Sequence, residues 1–147
     1  MIEFNNSHHG YAIAKACNAS YNSQMDQCIS RSDDKGLLGG VLYQNYTGTS
    51  VNVHMAGFDP SWVIRDMIWV CFHYPFVQLN CRKMFGQVPA SNVRALEFDR
   101  KLGFIEETRI KDVFPDGDLV VLSMKREDCK WLSLKPKTLK ESDDGWR

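Results

Sequence analysis

Apolar and β-branched residues crowd into two neighbouring runs, Leu37 to Tyr46 and Ser50 to Gly57, joined by Thr47-Gly48-Thr49. A short glycine-containing connection between two such runs predicts a β-hairpin. Side chains alternate along a strand, so Val51, Val53 and Met55 share one face and Asn52, His54 and Ala56 the other. Upstream, Tyr11, Ile13, Ala14, Ala16, Cys17, Tyr21, Met25, Cys28 and Ile29 fit helical spacing better than alternation. That region, Ser7 to Arg31, predicts two short helices broken near Asn18-Ala19-Ser20, and Ser32-Asp33-Asp34-Lys35-Gly36 ends it as a polar turn.

Downstream, a helix is predicted from about Trp62 to about Leu79, capped by Asp59 or Ser61, with Asp66 in its early turns where negative charge suits the helix dipole. Pro75 should kink or break it, because proline lacks a backbone donor and crowds the preceding turn. Ile68, Trp69, Phe72 and Phe76 mark the face turned to the sheet, and packing also accounts for His73 and Tyr74. Arg82 to Val88 reads as a buried strand that Pro89-Ala90-Ser91-Asn92 stops. Val93, Ala95, Leu96, Phe98 and Leu102 then make a helical stripe ending at Gly103, a glycine placed for a left-handed cap. Ile105 to Phe114 and Leu119 to Lys125 form a last hairpin around Pro115-Asp116-Gly117-Asp118. After Leu134 the chain is polar, so residues 1–134 are expected to form the domain and 135–147 a mobile tail. The element order implies an α/β fold with a single mixed, mostly antiparallel sheet flanked by helices.

Composition narrows the function. The 147 residues suit one domain, and 18 Lys+Arg against 18 Asp+Glu leave no net charge. A nucleic-acid or membrane partner held by charge is therefore disfavoured. Five scattered cysteines, odd in number and mostly in apolar surroundings, read as reduced intracellular thiols. None has the spacing of a zinc or redox motif, and His8-His9 lacks a nearby cysteine, so no metal is expected. The start Met1-Ile2-Glu3-Phe4-Asn5-Asn6 lacks the basic and apolar regions of a secretory leader. The apolar stretch from Met67 to Val77 falls short of the about 20 residues a bilayer requires. A cytoplasmic protein is expected.

The stretch Asn92 to Phe104, Asn-Val-Arg-Ala-Leu-Glu-Phe-Asp-Arg-Lys-Leu-Gly-Phe, resembles the late helix-and-turn motif of the GCN5-related N-acetyltransferase superfamily, with Asn92, Ala95, Leu102, Gly103 and Phe104 on matching positions. The resemblance runs from Leu37 to Leu132. Gly-Phe-Ile-Glu-Glu and the closing Met-Lys-Arg-Glu-Asp-Cys-Lys-Trp-Leu are similar to phage-encoded and ribosomal-protein-acetylating members. It implies the acyl-CoA N-acyltransferase fold and transfer of acetyl from acetyl-CoA to an amine on a small molecule or protein. Where the family usually has a glycine-rich pyrophosphate loop, this chain has Phe-Asp-Pro-Ser-Trp-Val-Ile-Arg-Asp, with no glycine after Gly57.

The resemblance assigns Met55, Ala56, Trp62, Val63, Ile64, Arg65 and Asn92 to coenzyme A, its pantetheine arm lying between the strands of Asn52 to Ala56 and Arg82 to Val88. Arg65 either meets phosphates or is simply solvated, and Asn92 is at least a helix cap. The position of the family's acid, often tyrosine, is Asp99. An exposed aspartate with a pKa of about 3.9 is a poor acid unless burial raises it, and a solvated carboxylate is the plainer reading. His54 is the base candidate, against a histidine that merely fills the sheet face, since an imidazole titrates near about 6.5. Glu97 reads as surface. No cysteine has a recognisable base partner, which points to direct transfer without a covalent enzyme intermediate. The rival reading is a degenerate, non-catalytic interaction module with the same fold. The acceptor and the oligomeric state are not specified by the sequence.

Overall fold

A computed structural model describes residues 1–139. The chain runs β1 (Ile2–Phe4), α1 (Ser7–Ala16), β2 (Gln27–Asp33), β3 (Gly36–Gln44), β4 (Ser50–Gly57), α2 (Arg65–His73), β5 (Lys83–Pro89), α3 (Val93–Leu102), β6 (Ile105–Phe114) and β7 (Gly117–Lys125). The strands form one sheet in the order β1-β2-β3-β4-β5-β7-β6. β4 and β5 pair in parallel and the other neighbours are antiparallel. This is the single mixed, mostly antiparallel sheet flanked by helices that the element order implies.

Both predicted hairpins are present, in register Val41↔Met55 and Arg109↔Val120. α3 begins at Asn92, whose Oδ1 accepts from the Ala95 amide at 3.2 Å, and ends at Gly103 with φ 112°. A positive φ of this kind is costly for residues with a Cβ, which is why glycine stands there.

Two expectations need correction. The second helix predicted before Arg31 is the strand β2, in which Cys28, Ile29 and Ser30 are consecutively buried. Its two faces are both covered, so the alternation that marks a half-exposed strand is missing. The long helix starts later than expected. Pro60–Trp62 is a single 3₁₀ turn, Val63 and Ile64 are extended, and α2 begins at Arg65. Pro75 falls in a π-helical turn, Tyr74–Gln78, where the Leu79 amide donates to Tyr74 O at 3.0 Å. The wider turn accommodates the donor that proline lacks.

α2 is buried nearly all round: Asp66, Met67, Trp69, Val70, Cys71, Phe72 and His73 are all inaccessible. One side meets the sheet. The other lies beneath the segment after β7, where Trp131 stacks on Phe72 with centroids 6.4 Å apart and donates through Nε1 to Leu102 O at 2.6 Å. Leu132, Leu134 and Leu139 pack against the same core. The tail expectation falls mostly on residues 140–147, which lie outside the described residues. Lys137, Thr138 and Leu139 are bonded to Asp66.

Candidate active site

β4 and β5 are in register only over Ser50↔Lys83, Val51↔Met84 and Asn52↔Phe85. Beyond Asn52 and Phe85 the strands part, leaving backbone groups on the facing edges without a ladder partner, and such groups are obligatory hydrogen-bonding sites. A cleft of about 730 Å³ opens there. Its walls come from the end of α1 (Cys17), from β4 and the loop after it (Val53 to Met55, Gly57 to Pro60, Trp62, Val63), from β5 (Gly86 to Pro89) and from α3 (Asn92, Arg94, Ala95, Phe98, Asp99).

The β4–α2 loop is built from a different part than a glycine cradle. The Phe58 and Asp59 amides donate to Leu38 O at 2.8 and 3.1 Å, and the Asp59 carboxylate accepts from the Ser61 amide and hydroxyl at 2.8 and 2.6 Å. Those two bonds hold the Asp59 carboxyl below its usual range. Arg31 of β2 braces the loop from below through its guanidinium to Ser61 O. Trp62, 8 % exposed, lies flat against the two glycines Gly39 and Gly57, where a Cβ would stand 2.5 and 2.3 Å from its indole. Glycines inside strands mark such close approaches.

Asp99 is not the solvated carboxylate of the plainer reading. It is half-buried in the cleft wall, its Oδ2 over Gly86, 3.7 Å from where a Cβ would sit. Desolvation pushes its carboxyl up to about 7. His54 also lines the cleft. Burial moves its imidazole below the ordinary value, partly offset by the charge of Asp26, so at neutral pH it is an uncharged ring able to accept a proton.

Of the residues expected at coenzyme A, Met55, Trp62, Val63 and Asn92 line the cleft. Ala56, Ile64 and Arg65 are not among the residues that line it. Ala56 packs with Ile13 and Ala14 of α1, because it lies on the strand face opposite Met55. Ile64 and Arg65 are exposed at the start of α2. Asn92 combines its cap bond with a place in the wall.

Sequence reasoning missed Cys17, Gly86, Gln87, Phe98 and Arg94 as lining residues. Gly86, a glycine inside a strand, was the readable signal. Cys17 had none, since a helix end reaches β4 only in three dimensions. Its Sγ donates to Met55 O at 3.4 Å, and burial, then the Asp99 charge, push the thiol up to about 11. A protonated thiol is not a nucleophile at neutral pH. The other four cysteines are buried and free.

No family model matches the sequence, and no curated protein matches it. Solved structures do match. The fold is that of the acyl-CoA N-acyltransferases. A spermidine N-acetyltransferase from Vibrio cholerae, in complex with CoA and spermine, superposes with a TM-score of 0.59 at 20% identity, over 73% of this chain and 69% of that one. A spermidine/spermine N-acetyltransferase from the same organism, in complex with manganese ions, gives 0.63 at 18% identity, over 85% and 91%. The N-acetyltransferase PseH of Campylobacter jejuni, in complex with acetyl coenzyme A, gives 0.53 at 17% identity, over 69% and 68%. At these identities the likeness concerns the fold. Within the N-acyltransferase fold, no helix among the described residues is long and apolar enough to cross a membrane.

Proposed function

We propose that this chain is an N-acetyltransferase that passes an acetyl group from acetyl-CoA directly to an amine. The parting of β4 from β5 carries the reading: it leaves free backbone edges along a cleft whose walls hold a neutral imidazole and a carboxyl poised near neutrality. The free edges suit an extended amide-bearing arm, which would pair with them as an added strand does. Acetyl-CoA supplies an activated thioester. The protein's share is to hold it, to exclude water and to move two protons.

His54 accepts the proton that the attacking amine must lose, directly or through a water, and Asp99 in its protonated form donates one to the departing sulfur. The Cys17 thiol stays protonated, which supports direct transfer over a covalent enzyme intermediate. Met55, Trp62, Val63 and Asn92 hold the donor, with Arg94 as the cleft's cation. Asp59 lines the cleft in the loop that stands where the family resemblance expects the donor's phosphates, and it is anionic. That one observation favours the second reading, a non-catalytic module with the same fold. The kinship with phage-encoded and ribosomal-protein-acetylating members rests on the sequence resemblance. The free cysteines fit a cytoplasmic place of work.

The test is a thiol-release assay with acetyl-CoA and a panel of polyamines, small amines, lysine peptides and free peptide N-termini, paired with thermal unfolding in coenzyme A. A ligand present at a hundredfold its Kd stabilises by about 2.7 kcal/mol, an upward shift of several degrees. We expect that shift and thiol release with at least one amine. A shift with no release from any amine supports the non-catalytic module; neither response removes the coenzyme A reading altogether.

A further inference from the structure

His54 projects from a face of the sheet that other polar side chains share. Gln44 of β3 stands opposite Asn52 of β4, and His54 follows two residues on, so all three point to one side. Phe85 of β5 is level with Asn52 in the parallel pair, and Gln87, two residues further, lines the cleft. α1 covers the Ala56 end of this face through Ile13 and Ala14, and the loop from α1 to β2 reaches the other end. There Gln44 Nε2 donates to Ser20 O and, at 2.8 Å, to Asp26 Oδ2, which also accepts from the Asn22 amide at 2.8 Å. Both donors to the Asp26 carboxylate thus meet the same oxygen. Among the described residues, Oδ1 accepts no hydrogen bond. Asp26 and His54 are each half-buried, and Lys83, on the same face of β5, is occupied by Glu107 at 2.6 Å.

We propose that Asp26 selects the acceptor: its fixed carboxylate draws in an amine that arrives as an ammonium ion and carries no carboxylate of its own beside it. The proposal rests on the acetyl-transfer reading above. An alkylamine is protonated in neutral water, whereas attack on a thioester needs its free lone pair. The acceptor side of the cleft must therefore attract a cation and then take its proton. His54 takes the proton, but an uncharged imidazole supplies no countercharge. Asp26 supplies it from the same side of the sheet, with one oxygen anchored by Gln44 and Asn22 and the other open. Its charge reaches the ring: burial lowers the His54 imidazole, and Asp26 offsets part of that. Half-buried, the carboxylate acts through a medium less screening than open water. It repels the carboxylate of a free α-amino acid, so the favoured class is simple alkylamines and lysine side chains.

Full-length wild type, Asp26→Asn and Asp26→Glu test this with n-butylammonium chloride and its uncharged analogue n-butanol. The readout is the His54 ring resonance in NMR spectra at neutral pH, identified by its loss in His54→Gln. A charge-assisted hydrogen bond corresponds to about tenfold in affinity, so D26N should need about ten times more n-butylammonium to move that resonance halfway. D26E should recover most of the loss, and n-butanol should not distinguish the three proteins. Equal half-points in wild type and D26N, or no response of the wild type, would overturn the proposal. If D26N does not fold, the wild type decides: its half-point for n-butylammonium should rise with added KCl while that for n-butanol holds, and a salt-independent response removes Asp26 from the role. With acetyl-CoA, KM for n-butylamine should rise in D26N with kcat nearly unchanged, while methoxyamine, uncharged at neutral pH, keeps its KM. An unchanged KM for n-butylamine in D26N removes the selection by Asp26 and leaves acetyl transfer standing. No acetylation of any amine, beside an ammonium response that depends on Asp26, removes the acetyl-transfer reading and keeps Asp26 as a cation site.

Discussion

Asp99 illustrates how far a titration depends on what packs over it. As a residue type in an exposed helix it would be ionised through the whole physiological range; beneath the cleft and over Gly86 its carboxyl reaches about 7. With His54 as base and Asp99 as acid, kcat/KM should rise with pH as the imidazole loses its proton below its ordinary value and fall as Asp99 ionises near 7. Asp99→Asn should lower kcat by about 10²-fold to 10⁴-fold, the usual contribution of a positioned acid, and erase the alkaline limb. A pH–rate series on both proteins checks this; a variant that keeps the wild-type rate and limb would leave Asp99 without a part in the chemistry. Which residue stands at this position was legible in the motif around Asn92. That its carboxyl is raised was not, because burial is set by parts of the fold such as Gly86 of β5 that no local window contains.

Trp62 and the Gly39-Gly40 pair of β3 make one structural unit out of three elements. The indole covers Gly39 and Gly57, and Gly40 faces Ile29 O and the Ile13 side chain, where a Cβ would stand 2.5 and 2.6 Å away. Gly39→Ala should therefore destabilise by about 1–3 kcal/mol, as overpacking of a filled site does, measured as a fall in the urea midpoint with unchanged slope. A change within about 0.5 kcal/mol, the range of ordinary surface substitutions, would mean that the indole moves aside freely. The hairpins, α3 and its caps were readable because a strand exposed on one face or a capped helix writes its period into the chain. β2 was not, being covered on both faces, nor was the late start of α2, where the aromatic Trp62 leaves the helix to fill the space above two glycines.

At the scale of the molecule, two carboxyls, the half-buried Asp99 and the buried Asp66, pull stability in different pH directions. Asp99 is raised from 3.8 to about 7, so the folded state holds a proton that the unfolded state has released, and its contribution declines as pH rises from about 4 to about 7. Asp66 is lowered: burial would raise it, but the Lys137, Thr138 and Leu139 donors outweigh that cost. Its contribution is complete above the ordinary aspartate value and is lost as pH falls through its lower folded value. Relative to the wild type, D99N should gain stability with rising pH by an amount on the order of 2 kcal/mol between pH 4 and 8, read from urea unfolding at each pH; a constant difference would place Asp99 in solvent. The sequence by itself determined the sheet class, both hairpins, the Asn92 cap, the Gly103 turn and the electrical balance of 18 against 18 charges, since period, turn chemistry and net charge are properties of neighbours along the chain. Only the tertiary structure decided where β4 leaves β5, which side chains share the cleft, how Asp99 titrates and that residues 137–139 bind Asp66. Each of those depends on burial and on contacts between residues far apart in the chain, and desolvation has no signature in local order.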